Sequence, residues 1–307
     1  MMRIVFLGTP DFAVPCLDIL HQNGYIIPAV ITAPDKPGGR LGMLQSAVKV
    51  YATAHGIPVL QTPKLKDPGF LAELRSLHAD LQVVVAFRML PEAVWNMPPL
   101  GTLNLHGSLL PRYRGAAPIN WAIINGETET GVTTFLLKHE IDTGDILFQE
   151  RTPIGENETA GELHDRMMHI GAQLILKTVQ SIEHDRVQPQ PQDLSAVTLA
   201  PKIFTETCRI DFAQSTQQVH DFVRGLSPFP GAWTFFDERT LKILRTKKDE
   251  ITPLKGDVGQ FFSDGRQYLC FRTQNGYVQI LDLQLEGKKR MPIRDFLNGI
   301  KYNWISI

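Results

Sequence analysis

Apolar segments too short to be helices alternate with helical stretches through the first 130 residues, and this alternation constrains the fold more than any other feature of the chain. Arg3-Ile-Val-Phe-Leu-Gly8 reads as a buried strand closed by glycine, residues 26–31 as a second, Leu81-Gln-Val-Val-Val-Ala-Phe87 as a third and residues 102–106 as a fourth. Between them the spacing predicts a helix capped by Asp11 and stopped by Gly24, then helices over 46–55, 67–77 and 91–96, with another over 117–124. Strands that are apolar along their whole length are buried on both faces. Alternating with helices, they predict a mostly parallel sheet covered on both sides, an α/β fold. Residues 131–137 and 146–149 read as later, antiparallel strands. A long helix over 160–184 carries Leu163, Met167, Ile170, Leu174 and Val179 on one stripe.

The pattern changes after that helix. Gln188-Pro-Gln-Pro-Gln-Asp193 is polar and proline-rich, a linker signature. Beyond Thr205 come one helical stretch over 216–226 and then short segments of strand character separated by glycine-rich turns, the pattern of a small barrel or sandwich. The expected organisation is a domain over 1–187, a linker over 188–204 and a second domain over 205–307. A chain of 307 residues, 43% hydrophobic, has the length and composition for two such cores.

Charge and cysteine usage exclude several classes. No apolar run approaches the roughly 20 residues of a membrane helix, and the amino terminus enters a strand directly, which argues against a signal peptide. Cys16, Cys208 and Cys270 lie far apart, neither a disulfide framework nor a zinc site, so a cytoplasmic location and a metal-free site are expected. The net charge of -1 does not mark a dedicated nucleic-acid binder. Residues 205–307 nevertheless carry 15 Lys and Arg against 12 Asp and Glu, while the rest carries 16 against 20, so the tail is the more basic part.

The residues with chemistry to offer are Asn104 and His106. Strand side chains alternate faces, so these two project together while Leu103 and Leu105 take the other face. The turn to Pro111 puts them at a strand's carboxyl end, the edge where open α/β sheets bind ligands. Downstream, Asp142-Thr-Gly-Asp145 supplies carboxylates on a glycine-containing loop. An amide, an imidazole and a carboxylate can polarise a carbonyl and manage one proton, which is acyl-transfer chemistry without a nucleophilic residue. Aspartic proteases also use Asp-Thr-Gly, but they need two such aspartates and this chain has one in an α/β context. No Walker A loop, Gly-x-Gly-x-x-Gly fingerprint or His-Glu-x-x-His site occurs.

Taken with Leu7-Gly-Thr-Pro-Asp-Phe-Ala13, Val84-Val-Ala-Phe87, Ser108-Leu-Leu-Pro-Arg-Tyr-Arg-Gly-Ala-Ala-Pro118, Ala200-Pro-Lys-Ile203, Leu226-Ser-Pro-Phe-Pro-Gly-Ala-Trp233 and Phe296-Leu-Asn-Gly299, these motifs make the whole chain resemble the 10-formyltetrahydrofolate-dependent formyltransferases. The resemblance implies a Rossmann-like catalytic domain followed by a small OB-like β-barrel. It implies 10-formyltetrahydrofolate as co-substrate and, from the opening, flanking and carboxy-terminal motifs together, the methionine of initiator methionyl-tRNA as acceptor; a monomer is expected. Asn104, His106 and Asp142 match the family's catalytic trio. Ser108, Leu109, Leu110 and Pro111 match its folate-lining segment, with Phe87 nearby. Asn104 and protonated His106 would donate to the formyl oxygen, while Asp142 would orient His106 and accept the proton the amine loses. Arg40 and Lys36, in the loop that enters the tRNA acceptor end in the family, and Lys202 would contact RNA. Two positions depart from the family pattern: Leu41-Gly-Met-Leu-Gln stands where lysines are common, and Arg88 where a glycine is usual. The rival readings are a sugar-amine formyltransferase and a binding module with a decayed site. The intact trio argues against the second, and the Pro228–Trp233 entry to a basic tail argues against the first.

Overall fold

The computed structural model describes residues 1–38, 42–249, 254–300, 302 and 304. The chain divides into two compact units: residues 1–115, 131–152 and 164–199 form one, and residues 116–130, 153–163 and 200–307 the other. The units are therefore not contiguous in sequence. The helix expected over 117–124 and the start of the long helix belong with the carboxy-terminal unit. Of the stretch 188–204, residues up to Leu199 belong with the first unit.

In the first unit, strands β1 (Ile4–Gly8), β2 (Val30–Thr32), β3 (Val59–Gln61), β4 (Leu81–Val85), β5 (Thr102–His106), β6 (Glu129–Leu136) and β7 (Ile146–Pro153) form one sheet in the order β7-β6-β5-β4-β1-β2-β3. The pairs β1–β2, β1–β4, β2–β3 and β4–β5 are parallel, and β5–β6 is antiparallel. Every residue of β1, β2 and β4 is buried, as the unbroken apolar runs require. Sequence reading missed β3, whose three residues after Pro58 are too few to show a period. Helices α1 (Val14–Gln22), α2 (Ala47–Ala54), α3 (Pro68–Ser76) and α4 (Glu92–Trp95) follow their strands. Ser46 caps α2 by accepting from the Lys49 amide, and Asp67 caps α3 by accepting from that of Phe70. Asp11 departs from expectation. It opens a single 3-10 turn and accepts only from the neighbouring Phe12 amide, so it caps no α-helix. Gly8 is fixed by crowding, because a Cβ there would lie 2.8 Å from the Ala13 Cβ.

The second unit contains α5 (Pro118–Ile124), the first residues of α6 (Ala160–Glu183), α7 (Thr216–Gly225) and α8 (Ile293–Asn298). Its six-stranded antiparallel sheet is that of a small barrel domain, with Ala232–Phe236, Arg239–Asp249, Tyr277–Leu285, Leu269–Arg272 and Phe261–Ser263 in spatial order and Met291–Pro292 paired to Tyr277–Leu285. Register shifts between Ile243 and Thr246 bend the long second strand. Its core includes Val219, Val223, Phe236, Ile243, Phe271 and Ile280, with Phe212 and Phe271 stacked at 4.7 Å. Ser215 and Gln218 close a capping box on α7. All three cysteines are buried and free of disulfides.

Candidate active site

Asn104 and His106 stand at the carboxyl end of β5, the strand where the sheet changes from parallel to antiparallel pairing. Leu103 and Leu105 are buried on the opposite face, as alternation requires. The ring of His106 is buried, and its Nε2 lies 2.8 Å from the carbonyl oxygen of Tyr113. A carbonyl can only accept, so Nε2 carries the proton and Nδ1 is the nitrogen left for chemistry. Nδ1 faces Asp142, 3.7 Å from Oδ2, a separation too long for a hydrogen bond. The Asn104 amide is half-buried and makes no hydrogen bond among the described residues, which leaves its two N–H donors at the sheet edge.

Asp142 is itself buried, and its Oδ2 accepts from the Gly115 amide at 2.9 Å. Its backbone has φ 55, the left-handed region, which aspartate tolerates better than most residues. Gly144 is required for another reason. A Cβ there would lie 1.8 Å from the Leu136 carbonyl oxygen, so the loop can lie on β6 only if this position has no side chain. Asp145, the second carboxylate of the motif, forms an exposed ion pair with Lys138 at 2.8 Å and is not joined to the trio.

The turn after β5 is tied down from the neighbouring strands. Thr133, opposite His106 in the β5–β6 register, donates to the Ser108 carbonyl at 2.6 Å and accepts from the Leu110 amide at 3.1 Å. Gln149 donates to the Leu110 carbonyl at 2.9 Å and to Thr133 Oγ1 at 3.0 Å. Ser108 is fully buried, with its hydroxyl bonded to the Arg112 carbonyl at 2.6 Å, so it closes the turn. Leu110 is buried, while Leu109 and Pro111 are half-buried. Phe87 packs with Val84, Leu90 and Leu137 in the apolar cluster at this edge. Arg88 lies over the Phe87 ring, 5.6 Å from its centroid, and donates to the carbonyls of Pro63, at 2.9 Å, and Thr62. Sequence reading missed Thr133 and Gln149. Both strands carry several polar and charged residues, so nothing in the sequence singled these two out.

The basic residues behave differently from one another. Lys36 is exposed on a two-stranded hairpin (Lys36–Pro37 with Met43–Leu44). Lys49, in contrast, is bound to Asp35 at 2.6 Å and to Gln61 at 3.0 Å. Lys202 is exposed, its Nζ 5.3 Å from the Phe204 ring centroid. Arg40 lies outside the described residues. A cavity of about 670 Å3 lined by Met1, Tyr25, Lys177 and Arg186 contains none of the trio. Among the described residues no group of three or more His, Cys, Asp or Glu is placed to hold a metal ion, and no helix is long and apolar enough to cross a membrane.

Residues 2–179 match the family model described as formyl transferase, and residues 202–301 match that described as formyl transferase, C-terminal domain. The chain belongs to the formyltransferase family. It is 53% identical over 311 residues to the methionyl-tRNA formyltransferase of Parabacteroides distasonis, covering 98% of this chain and 96% of that one. It is 51% identical over 307 residues to the methionyl-tRNA formyltransferase of Bacteroides fragilis, covering 97% and 95%. Among solved structures, the N-formyltransferase of Helicobacter canadensis in complex with folinic acid and dTDP-3-aminofucose superimposes with a TM-score of 0.71 at 20% identity, over 95% of this formyltransferase and 100% of that chain. HypX of Aquifex aeolicus in complex with tetrahydrofolic acid gives 0.68 at 21%, over 98% of this chain and 48% of that one. At those identities the likeness establishes the fold.

Proposed function

We infer that this formyltransferase moves the formyl group of 10-formyltetrahydrofolate onto the α-amino group of methionine carried by initiator methionyl-tRNA, giving the formylated initiator used in translation. The observation that carries the reading is the agreement with methionyl-tRNA formyltransferases at about half identity along nearly the full length of both partners, carboxy-terminal unit included.

When bound, 10-formyltetrahydrofolate supplies an activated formyl carbonyl, so no covalent enzyme intermediate is needed. Asn104 has the uncommitted N–H groups that a developing oxyanion requires. His106, held by the Tyr113 carbonyl, presents Nδ1. When protonated, Nδ1 donates to the same oxygen, with the Asp142 carboxylate 3.7 Å away to orient the ring. Asp142 would accept the proton lost by the amine, directly or through water, and a proton would return to the folate N10 nitrogen as its bond to the formyl carbon breaks, so that tetrahydrofolate leaves. Phe87, Leu109, Leu110 and Pro111 line the folate site, with Ser108 bracing the turn that carries them. Lys36, Arg40 and Lys202 contact tRNA phosphate. Lys49, committed to Asp35, is outside that set. Catalysis belongs to the unit built mainly from residues within 1–187, and RNA binding to the unit built mainly from residues 205–307, of a cytoplasmic monomer.

Incubation with 10-formyltetrahydrofolate and either charged initiator tRNA or a nucleotide-linked aminosugar tests the reading. Formylmethionyl-tRNA, detected as formylmethionine after alkaline hydrolysis of the aminoacyl ester, is the expected product. Formylated sugar with unmodified tRNA would overturn the reading.

A further inference from the structure

Gln190 and Gln192, in the segment whose composition reads as a spacer, are bound into the first unit beside the Asp142 loop. Gln190 and Ile146 exchange backbone hydrogen bonds at 2.8 and 2.9 Å, which seats the segment beside β7. Two residues on, the Gln192 side chain donates to the carbonyl of Asp142 at 2.8 Å and to that of Gly144 at 2.7 Å. Its amide oxygen accepts from Arg114 Nε at 3.1 Å and Nη2 at 2.6 Å. The partners leave no freedom in which end is which, because carbonyls need the NH2 and a guanidinium needs the oxygen. One side chain therefore joins the two residues bracketing Thr143 to Arg114, whose neighbour Gly115 donates to the Asp142 carboxylate.

We propose that Gln192 is a positioning residue for Asp142: by holding the main chain on both sides of Thr143 it fixes the carboxylate between the Gly115 amide and His106 Nδ1. The proposal rests on the reading of Asp142 as the group that orients His106 and takes the proton. The preceding stretch, residues 139–141, is exposed, so the loop has solvent on its outer side. Asp142 also holds φ 55, a conformation that persists only where its surroundings fix it. The Gln192 amide and the close approach of Gly144 to β6 hold the loop there, together with the Gly115 amide on the Asp142 carboxylate and the Thr143 hydroxyl on the Glu140 carbonyl.

Two substitutions separate positioning from packing. Gln192→Met keeps the volume and removes all four hydrogen bonds. Gln192→Glu keeps the acceptor for Arg114 but sets carboxylate oxygens against the two carbonyls. Both should lower kcat for formylation of initiator methionyl-tRNA by about 10- to 100-fold, the effect of sub-ångström misplacement of a reacting group. KM for 10-formyltetrahydrofolate should stay within about twofold, and the acid limb of the kcat–pH profile should move. Adding Gln192→Met to Asp142→Asn should cost less than about twofold more, since a residue acting through Asp142 has nothing left to position. Circular dichroism and thermal melts identify any variant that fails to fold, in which case the other is read. Wild-type kcat in the folded Gln192 variants, or a full multiplicative loss in the double variant, would overturn the proposal. Near-normal activity of Asp142→Asn alone would instead overturn the reading of Asp142 on which it rests.

Discussion

At the scale of single residues, the site is defined by which polar groups are already committed. His106 Nε2 is bonded to Tyr113 and the Ser108 hydroxyl to Arg112, and the Asp142 carboxylate is held by Gly115. The Asn104 amide, by comparison, has no partner among the described residues, and a half-buried amide in that state suits a ligand oxygen that gains charge. Asn104→Ala should therefore lower kcat on the order of 10²–10³-fold, the usual effect of losing one oxyanion donor, with little change in melting temperature. Steady-state kinetics beside a thermal melt measure both. The shared face of Asn104 and His106 was legible in the sequence because period-2 alternation fixes which residues share a strand face and a turn at Pro111 locates that strand's end, whereas Asp142 was marked only by its Asp-Thr-Gly-Asp motif. Gln192 was not legible. Its side chain meets Asp142, fifty positions away, and its own neighbourhood reads only as polar and proline-rich.

At the scale of elements, the turn after β5, which carries the residues proposed to line the folate site, depends on two polar side chains of β6 and β7. Thr133 Oγ1 makes one donated and two accepted hydrogen bonds, a full complement for a hydroxyl. Thr133→Val keeps the shape but leaves the Ser108 carbonyl and the Leu110 amide without that partner. Losing such bonds in a buried place costs about 2 kcal/mol, or roughly 3 °C in melting temperature for a chain of this size. The loss should be accompanied by a raised KM for 10-formyltetrahydrofolate, because the turn carries Leu109–Pro111. Calorimetry and folate kinetics on the one variant check both effects. An unchanged KM would place the turn away from the folate. Strand order around this turn followed from composition only in part. The parallel core is written in unbroken apolar runs, whereas β3 is too short to leave a pattern and α8 lies among short strand-like segments that mask its period.

At the scale of the whole molecule, the two units exchange segments of sequence. Helix α5 and residues 153–163 precede the 188–204 stretch but belong with the unit that follows it, where the Asn120 side chain donates to the Gly225 carbonyl and Arg224 to those of Gly155 and Glu158. A linear reading of composition cannot show this, because those segments have the periodicity of the sheet-and-helix pattern around them. Leu194, Leu199 and Phe204, 75%, 71% and 54% exposed, are accessible sites for a chymotrypsin-like protease in the stretch. Nicking there should leave two fragments that separate in denaturant but co-elute under native conditions. Independent elution would show that the segments before the cut do not need the carboxy-terminal unit.

The central claim is that a non-covalent trio at the end of β5 performs formyl transfer to initiator methionyl-tRNA. Single-turnover formylation of charged initiator tRNA by His106→Ala, with saturating 10-formyltetrahydrofolate and a thermal melt as control for folding, tests it most directly. The expected result is a rate lower by on the order of 10² or more in a protein that melts near the wild-type temperature. A folded His106→Ala protein that formylates the tRNA at the wild-type rate would contradict the claim.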